Sequence, residues 1–204
     1  MIFDMQDPVA VMRCAEILRR PGMVALVPTE TVYGLVCRWD DTAAREKIYQ
    51  LKHRDPNKLL AMFAPTLSVA EAHGMMITPE MAKVAAALMP GPLTLIGALQ
   101  ENSGTIGLRI PDHPFIQALL AKLDFPLAST SANRSGSPNA LTASEAATML
   151  DGDVDICIDG GAIPPGRLAS TVVNFSCSPW KVLRAGEISA EEIQKVIDEP
   201  MTDI

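Results

Sequence analysis

Three cationic side chains stand close together in the chain, at Lys52, Arg54 and Lys58. The first two fall at the predicted C-terminal end of a helix, where positive charge complements the helix dipole. The alternative is an anion site. A guanidinium offers a planar fork of donors and an ammonium a compact charge, and together they suit phosphate oxygens. The spacing alone leaves both interpretations open.

A further cation, Arg109, closes an otherwise apolar run that begins at Thr105. A buried charge is costly unless it is paired, so this arginine needs an internal carboxylate or a cavity that admits a ligand carboxylate. The segment 28–34, which reads PTETVYG, lies directly after a predicted buried strand. A plain turn rarely needs two threonines, a glutamate and a tyrosine, so a functional loop and a simple turn are equally supported.

Hydroxyl and amide side chains are concentrated in the segment 129–136, which reads STSANRSG and is followed by Asn139. Such residues cap helices and form turns, but this segment holds more of them than those roles need. Ser170, Thr171 and Arg184 add polar side chains at the boundaries of other predicted strands. Open α/β sheets bind ligands at strand ends, so we expect these groups to meet in one site.

The familiar signatures of nucleotide binding and hydrolysis are missing from the sequence. It contains no GxxxxGK[ST] loop, and no GxGxxG follows a predicted strand. No Ser–His–Asp arrangement and no pair of carboxylates stands out either. The residues alone therefore predict an α/β enzyme that binds an anionic ligand through scattered side chains.

Composition narrows the class of protein. The 204 residues fit one domain, which we expect to span residues 1–204. A balance of 17 basic against 24 acidic side chains argues against a protein that depends on non-specific nucleic-acid affinity. The four cysteines and three histidines show no metal-ligand spacing, so we expect no protein-built metal site. With no signal-peptide pattern and no membrane-spanning apolar run, a soluble cytoplasmic protein is the expectation.

The apolar periodicity predicts alternating helices and strands. Helices are expected over residues 9–20, 42–51, 78–89, 114–123, 143–150 and 190–197. Strands are expected over residues 23–27, 33–39, 59–64, 93–99, 105–110, 127–130, 154–158, 171–175 and 181–183. The expected helix caps are Asp7, Asp41 or Thr42, and the two capping boxes Thr142–Glu145 and Ser189–Glu192.

Two pairs of predicted strands follow each other without a helix between them, within residues 93–110 and 171–183. Direct succession favours hairpins, in which the strands are antiparallel. Elsewhere strands and helices interleave along the chain, which is typical of α/β domains. The sequence therefore predicts a single α/β domain with a mixed parallel and antiparallel sheet.

Seven motifs, in this order, resemble the YrdC-like family of threonylcarbamoyl-AMP synthases. The resemblance runs from the first helix to about Gly186, and seven collinear motifs are poorly explained by chance. The motifs are PTETVYGL (28–35), KHR (52–54), PGPLTL (90–95), GLRIPDHP (107–114), STSANRSG (129–136), STVV (170–173) and LRAGEI (183–188).

The resemblance implies a twisted, mixed sheet around a positively charged cavity. It also implies a reaction, in which L-threonine, bicarbonate or CO2, and ATP with Mg²⁺ give threonylcarbamoyl-adenylate and pyrophosphate. The product would feed the threonylcarbamoyl modification of tRNA adenosine-37, through other tRNA-modification proteins. The implied catalytic residues around the phosphates are Lys52, Arg54, Ser131 and Asn133. The implied ATP contacts are Arg54, Lys58, Thr105, Ser131, Asn139 and Arg184, and the implied threonine contacts are Thr31, Arg109, Ser129 and Ser170.

One position departs from the family pattern. Many members carry a histidine near the threonine where this sequence has Phe63. A phenylalanine cannot make that hydrogen bond, so a second hypothesis is a paralogue with a different amino acid or carbamoyl acceptor. A third hypothesis is an RNA-binding module that uses the basic side chains of the cavity. The acidic net charge and the shortage of aromatic residues for base stacking weigh against it.

Overall fold

The sheet is organised around a short strand, VALV, in which all four side chains are buried. Such a strand has covered faces on both sides, as α/β proteins require. The computed structural model describes residues 1–101 and 104–199. Its strands are β1 Ile2–Asp4, β2 Val24–Val27, β3 Gly34–Arg38, β4 Ala61–Phe63, β5 Leu93–Ala98, β6 Thr105–Arg109, β7 Leu127–Ser131, β8 Ile156–Asp159, β9 Thr171–Asn174 and β10 Lys181–Arg184.

Seven helices accompany these strands in the described part of the chain. They are α1 Ala10–Leu18, α2 Thr42–Lys52, α3 Leu67–Ala72, α4 Pro79–Leu88, α5 Pro114–Lys122, α6 Ala143–Thr148 and α7 Ala190–Asp198. No helix in the described ranges is both long enough and apolar enough to cross a bilayer.

All ten strands belong to one sheet, in the order β1-β8-β2-β3-β7-β4-β6-β5-β9-β10. The pairs β1/β8, β2/β8, β4/β6 and β5/β9 are parallel. The pairs β2/β3, β3/β7, β4/β7, β5/β6 and β9/β10 are antiparallel. The mixed α/β sheet is therefore confirmed, and both predicted hairpins, β5–β6 and β9–β10, are present.

Every predicted helix and strand is found, with its ends shifted by a few residues. Two elements were not predicted, β1 and α3. The strand β1 has three residues and lies at the edge of the sheet, and its Ile2 side chain is 77% exposed. The helix α3 has six residues and buries one alanine, so it carries too little apolar periodicity to be recognised.

The helix caps were predicted with mixed success. Ser189 and Glu192 form the complete capping box, and Asp41 caps α2. Asp7 was wrong as a cap: the side chain accepts from the amide of Val9, and the helix begins one residue after Val9, without a side-chain cap. The two residues after Asp7 thus form a turn before the helix can start.

Alternation along the central strands separates two kinds of side chain. On one face, Leu93 and Leu95 of β5 and Leu108 of β6 join a core cluster with Val84 of α4 and Ile193 of α7. In a strand, neighbouring residues point to opposite faces. The residues between these leucines therefore point away from α4 and α7, and it is this second face that carries the polar side chains.

Candidate functional site

The second face of the central strands forms a cavity of about 300 Å³. That volume lies at the lower end of the range for small-molecule sites. Much of its wall comes from alternate residues of four neighbouring strands, which share a face because side chains alternate along a strand. These are Ala61 and Phe63 of β4, Thr94 and Ile96 of β5, Thr105, Gly107 and Arg109 of β6, and Ser129 and Ser131 of β7.

A row of small residues crosses the floor of this cavity. Ser129 of β7 pairs with Ala61 of β4, and Ala61 pairs with Gly107 of β6. Adjacent strands lie about 4.8 Å apart, so three small side chains in a row leave a hollow that larger neighbours surround. The hollow is thus a consequence of residue size in paired positions.

Arg54 reaches the cavity because of the way α2 ends. His53 adopts the left-handed conformation, with φ 48° and ψ 46°, and the amide of Arg54 then donates to the carbonyl of Tyr49. This turn is a common helix terminus, although glycine usually occupies the left-handed position. The Arg54 guanidinium donates to the carbonyls of Lys58 and Leu59 at 2.9 and 3.0 Å. Arg54 is therefore held by backbone oxygens and has no carboxylate partner in the described residues.

Arg109, the last residue of β6, also lines the cavity and is 6% exposed. Its Nη2 donates to Glu30 Oε1 and to the Thr31 hydroxyl, both at 2.8 Å. Its guanidinium also lies 5.4 Å from the centre of the Phe63 ring. No hydrogen bond within residues 1–101 and 104–199 engages its Nη1. The internal ion pair and the cavity-facing cation were alternatives in the sequence, and the structure combines them.

Arg184, at the end of β10, approaches the cavity from the opposite side. Its guanidinium donates to the carbonyl oxygen of Ser170 at 2.8 Å and to the Ser170 hydroxyl at 3.0 Å. That hydroxyl also lies 2.9 Å from the hydroxyl of Thr94. Ser170 thus connects the edge hairpin β9–β10 to the cavity wall on β5.

The three arginines give the cavity a positive charge. They are the charged side chains among the described residues that line it. Burial, followed by repulsion from Arg109 and Arg54, lowers the pKa of Arg184. Burial likewise lowers the pKa of Arg54. Glu30 neutralises Arg109, whereas the other two guanidiniums bind only backbone and hydroxyl oxygens in the described structure. Such a cavity favours a polyanion.

Lys52 is placed differently from what the sequence predicts. It is 1% exposed and does not belong to the cavity lining. Its ammonium donates to the carbonyl oxygens of Ser131 and Asn133 and, at 3.3 Å, to Asn133 Oδ1. Asn133 is 6% exposed and likewise lies behind the cavity wall. Of the four predicted catalytic residues, Arg54 and Ser131 face the cavity, and Lys52 and Asn133 support them.

The other predicted contacts are distributed in the same way. Thr105, Ser129 and Ser170 line the cavity. Thr31 is fully buried and binds Arg109, so its hydroxyl orients the arginine. Lys58 is exposed on the loop next to Arg54, and Asn139 is half-buried outside the cavity wall.

Strand ends do not fully account for the site. Arg109 and Ser131 do end their strands, but Thr94 and Ser129 lie within theirs, and a shared face of the sheet unites all four. Sequence reasoning also missed Thr94 and the role of Glu30 as the partner of Arg109. The sequence did carry a signal for Thr94, because it is a polar residue between two leucines in the strand LTLIGA. Neighbouring residues of a strand point to opposite faces, so this threonine indicates a polar second face.

Comparisons with known proteins identify the family of the chain. Residues 16–186 match the model of the Sua5/YciO/YrdC family, which is described as telomere recombination. The chain belongs to the Sua5/YciO/YrdC family. A threonylcarbamoyl-AMP synthase of Bacillus subtilis (strain 168) is 36% identical over an alignment of 202 residues, which covers 94% of this chain and 57% of that protein.

Solved structures of two family members superpose closely. Sua5 of P. abyssi, complexed with L-threonine, has a TM-score of 0.86 at 30% identity, covering 98% of this chain and 61% of that one. YciO of E. coli has a TM-score of 0.82 at 26% identity, covering 95% of this chain and 98% of that one. The Sua5/YciO/YrdC chain described here therefore spans less than two thirds of its Sua5 relative and nearly all of YciO.

Proposed function

We propose that this chain synthesises L-threonylcarbamoyl-adenylate from L-threonine, bicarbonate or CO2, and ATP, with release of pyrophosphate. This makes it a nucleotidyltransferase that supplies tRNA threonylcarbamoyl modification. The names of its relatives and the threonine complex of P. abyssi Sua5 support the proposal. The single observation that carries it is the cavity with three arginines, of which Arg54 and Arg184 bind no carboxylate in the described residues.

The chemistry of adenylation fits these residues. A carbamate oxygen attacks the α-phosphorus of ATP, an O–P bond forms, and the bond to the leaving pyrophosphate breaks. This step needs no covalent nucleophile from the protein, but it needs alignment and neutralisation of negative charge. We assign the phosphates to Arg54 and Arg184, with Lys58 above them, and further ATP contacts to Thr105, Ser131 and Asn139.

Mg²⁺ would arrive with the nucleotide as part of the substrate. No group of three or more His, Cys, Asp or Glu in residues 1–101 and 104–199 is arranged to hold a metal ion. The cavity wall offers hydroxyl groups and arginines, and its one neighbouring carboxylate, Glu30, is committed to Arg109. The phosphates would therefore supply the charged ligands of Mg²⁺.

The amino acid would bind at Arg109, whose Nη1 is available for a carboxylate, with Ser129 and Ser170 nearby. Glu30 and Thr31 hold the opposite nitrogen, Nη2, and so fix the orientation of the guanidinium. The side chain of the amino acid would meet Phe63, an apolar ring that cannot hydrogen-bond to a threonine hydroxyl. This observation motivates the second candidate, the same reaction with another amino acid or carbamoyl acceptor.

An RNA-binding module is less well supported. The basic residues considered for it are Lys52, Arg54, Lys58, Arg134 and Arg184. Lys52 is buried, and Arg54 and Arg184 line a cavity in place of an open surface. Single-stranded RNA is usually held by aromatic stacking on an exposed groove, whereas Phe63, the aromatic of this cavity, is 3% exposed. A salt titration with RNA tests this alternative, because non-specific contact disappears at moderate salt.

The test of the proposed function is pyrophosphate release from ATP, with and without threonine and bicarbonate, and with the other amino acids in parallel. Release that requires both substrates, together with the adenylate mass in a mass spectrum, would support the synthase. Faster release with another amino acid would identify the second candidate. Tight ATP binding without release in any mixture would contradict the synthase and would indicate a paralogue whose second substrate is not one of these amino acids.

A further inference from the structure

We propose that Lys52 is a positioning residue, which anchors the turn from Ser131 to Asn133 and fixes the Ser131 hydroxyl as a hydrogen-bond acceptor for the substrate. The inference rests on the proposed function in that it assigns the cavity to ATP and an amino acid. It departs from the expectation that Lys52 contacts the phosphates.

The ammonium of Lys52 has no hydrogen left for a ligand. An ammonium carries three donors, and the three acceptors are Ser131 O, Asn133 O and Asn133 Oδ1. The side chain is also 1% exposed, and it lies outside the cavity lining. A phosphate could reach Lys52 only if the turn gave up one of these bonds.

The bonds of Asn133 determine where the Ser131 proton lies. Asn133 Nδ2 donates to Ser137 O at 2.6 Å, so the other end of the amide, Oδ1, is the acceptor. Ser131 Oγ lies 2.5 Å from this Oδ1 and must therefore donate its proton to it. Lys52 donates to the same oxygen and reinforces the assignment.

The Ser131 hydroxyl is then left with acceptor capacity only. Ser131 lines the cavity, so its hydroxyl oxygen can accept a hydrogen bond from a substrate there. The substrate group that binds it must then be an N–H or O–H donor. Phosphate oxygens of ATP carry no proton at neutral pH and do not satisfy it. The donors available in the proposed substrates are the nitrogen of the amino acid or its carbamate, the hydroxyls of threonine and bicarbonate, the amino group of adenine and the ribose hydroxyls.

The charge of Lys52 is needed for all three bonds, because a neutral amine has only two donors. Burial, followed by the nearby Arg54 guanidinium, lowers the pKa of Lys52 to about 8. The neighbouring acceptors are neutral oxygens, so no carboxylate holds the proton in place. We therefore expect turnover to decline as the pH rises through about 8.

The test compares Lys52→Met with Arg54→Met in binding of adenosine, AMP and ATP. For Lys52→Met we expect a similar change in affinity for all three ligands and a turnover lower by about 10²-fold, as a misplaced contact causes. For Arg54→Met we expect a loss that grows with the number of phosphates. A Lys52→Met loss that also grows with phosphate number would overturn the proposal. Lys122→Met, a change of an exposed lysine on α5, is the matched control.

Two further readouts test the anchoring role, and the first of them does not depend on the proposed function. Hydrogen exchange of the amides in residues 131–137 should accelerate in Lys52→Met, because the turn loses its anchor, and should stay unchanged in Lys122→Met. An unchanged rate in Lys52→Met would refute the anchoring role even if the protein used no ATP. The decline of turnover above pH 8 should also disappear in Lys52→Met, which a purely structural defect would not produce.

The donor that meets Ser131 is identified by a second set of measurements. If it is a ribose hydroxyl, Ser131→Ala should lose activity with ATP but none further with the 2′- or 3′-deoxy nucleotide. If it is the substrate nitrogen, Ser131→Ala should lose the same factor with all three nucleotides and show a higher KM for the amino acid. Full activity of Ser131→Ala would contradict the acceptor role.

Discussion

The ion pair between Arg109 and Glu30 should be strongly coupled, because both partners are nearly buried. The atoms Nη2 and Oε1 lie 2.8 Å apart, and the side chains are 8% and 14% exposed. Two unit charges at that distance attract by about 6 kcal/mol at an effective dielectric constant of about 20, before desolvation is subtracted. Removal of one partner from a buried pair typically costs about 3–5 kcal/mol, because the other charge is left uncompensated.

Arg109→Met should therefore lower the free energy of unfolding by about 3–5 kcal/mol. Most of this cost comes from the Glu30 carboxylate, which would lose its charged partner. Its Oε2 is already buried without a hydrogen-bond partner in the described structure. Glu30→Gln should cost less, about 1–2 kcal/mol, because the amide oxygen still accepts from Arg109 and the arginine faces the cavity. In the double variant, Arg109→Met with Glu30→Gln, no uncompensated carboxylate remains. The loss of unfolding free energy should therefore be smaller than the sum of the two single losses by about 2 kcal/mol or more.

Urea unfolding of the two single variants and the double variant measures this coupling. The exposed pair Arg13–Glu16 is the matched control: its distance is 2.9 Å, but the side chains are 54% and 48% exposed. Its coupling should stay below about 1 kcal/mol. Additivity at Arg109 and Glu30 within about 0.5 kcal/mol would refute the electrostatic reasoning. Amino-acid-dependent pyrophosphate release in the stable double variant would separately refute Arg109 as the carboxylate site.

Three further outcomes follow from the same cavity and core. Arg54→Ala should reduce pyrophosphate release by about 10²–10³-fold and change the free energy of unfolding by less than about 2 kcal/mol, since its hydrogen bonds go to two loop carbonyls; full activity would exclude the phosphate role. Phe63→His should raise the kcat/KM preference for threonine over valine by about 10-fold or more, because a hydrogen-bonding wall rejects the analogue that lacks the hydroxyl; an unchanged ratio would place the side chain elsewhere. Burial raises the pKa of Cys14 and of Cys37 to about 12, well above the usual range of a thiol. The unfolded thiols ionise first, so the free energy of unfolding should fall as the pH rises above 9, by about 1.4 kcal/mol per pH unit for each thiol, and urea titrations of the Cys14→Ala, Cys37→Ala variant should show a smaller slope.

The sequence predicted the fold well where elements are long or carry a cap. Ser189 and Glu192 identified their helix because both halves of a capping box are local in sequence. The strand β1 escaped prediction since its stability comes from pairing with β8, about 155 residues away, which no local pattern records. Its exposed Ile2 also removes the alternation by which an edge strand is usually recognised.

The sequence singled out most of the polar residues in and around the cavity, but it did not predict which of them face it and which lie behind its wall. Lys52 and Arg54 are two residues apart and both cationic, so the sequence predicts the same phosphate-binding role for both. The end of α2 separates them: Lys52 is the last helical residue and points into the turn after β7, whereas the left-handed His53 turns Arg54 towards the cavity. A single backbone conformation thus decides which cation faces the cavity, and the spacing of the motif does not reveal that conformation.

The position of the cavity follows from side-chain size across paired strands. Ser129, Ala61 and Gly107 stand side by side in the register, and a Cβ on Gly107 would meet Thr94 at 3.5 Å and Ile96 at 3.8 Å. Those are ordinary contacts, so the backbone has room for the Cβ of an alanine there, and the strand does not itself require glycine. Small residues in this row therefore serve the cavity and are not required by the strands. The cavity is positively charged although the protein is acidic, because three arginines from distant segments line it. The net charge of −7 describes the whole chain and not this local site.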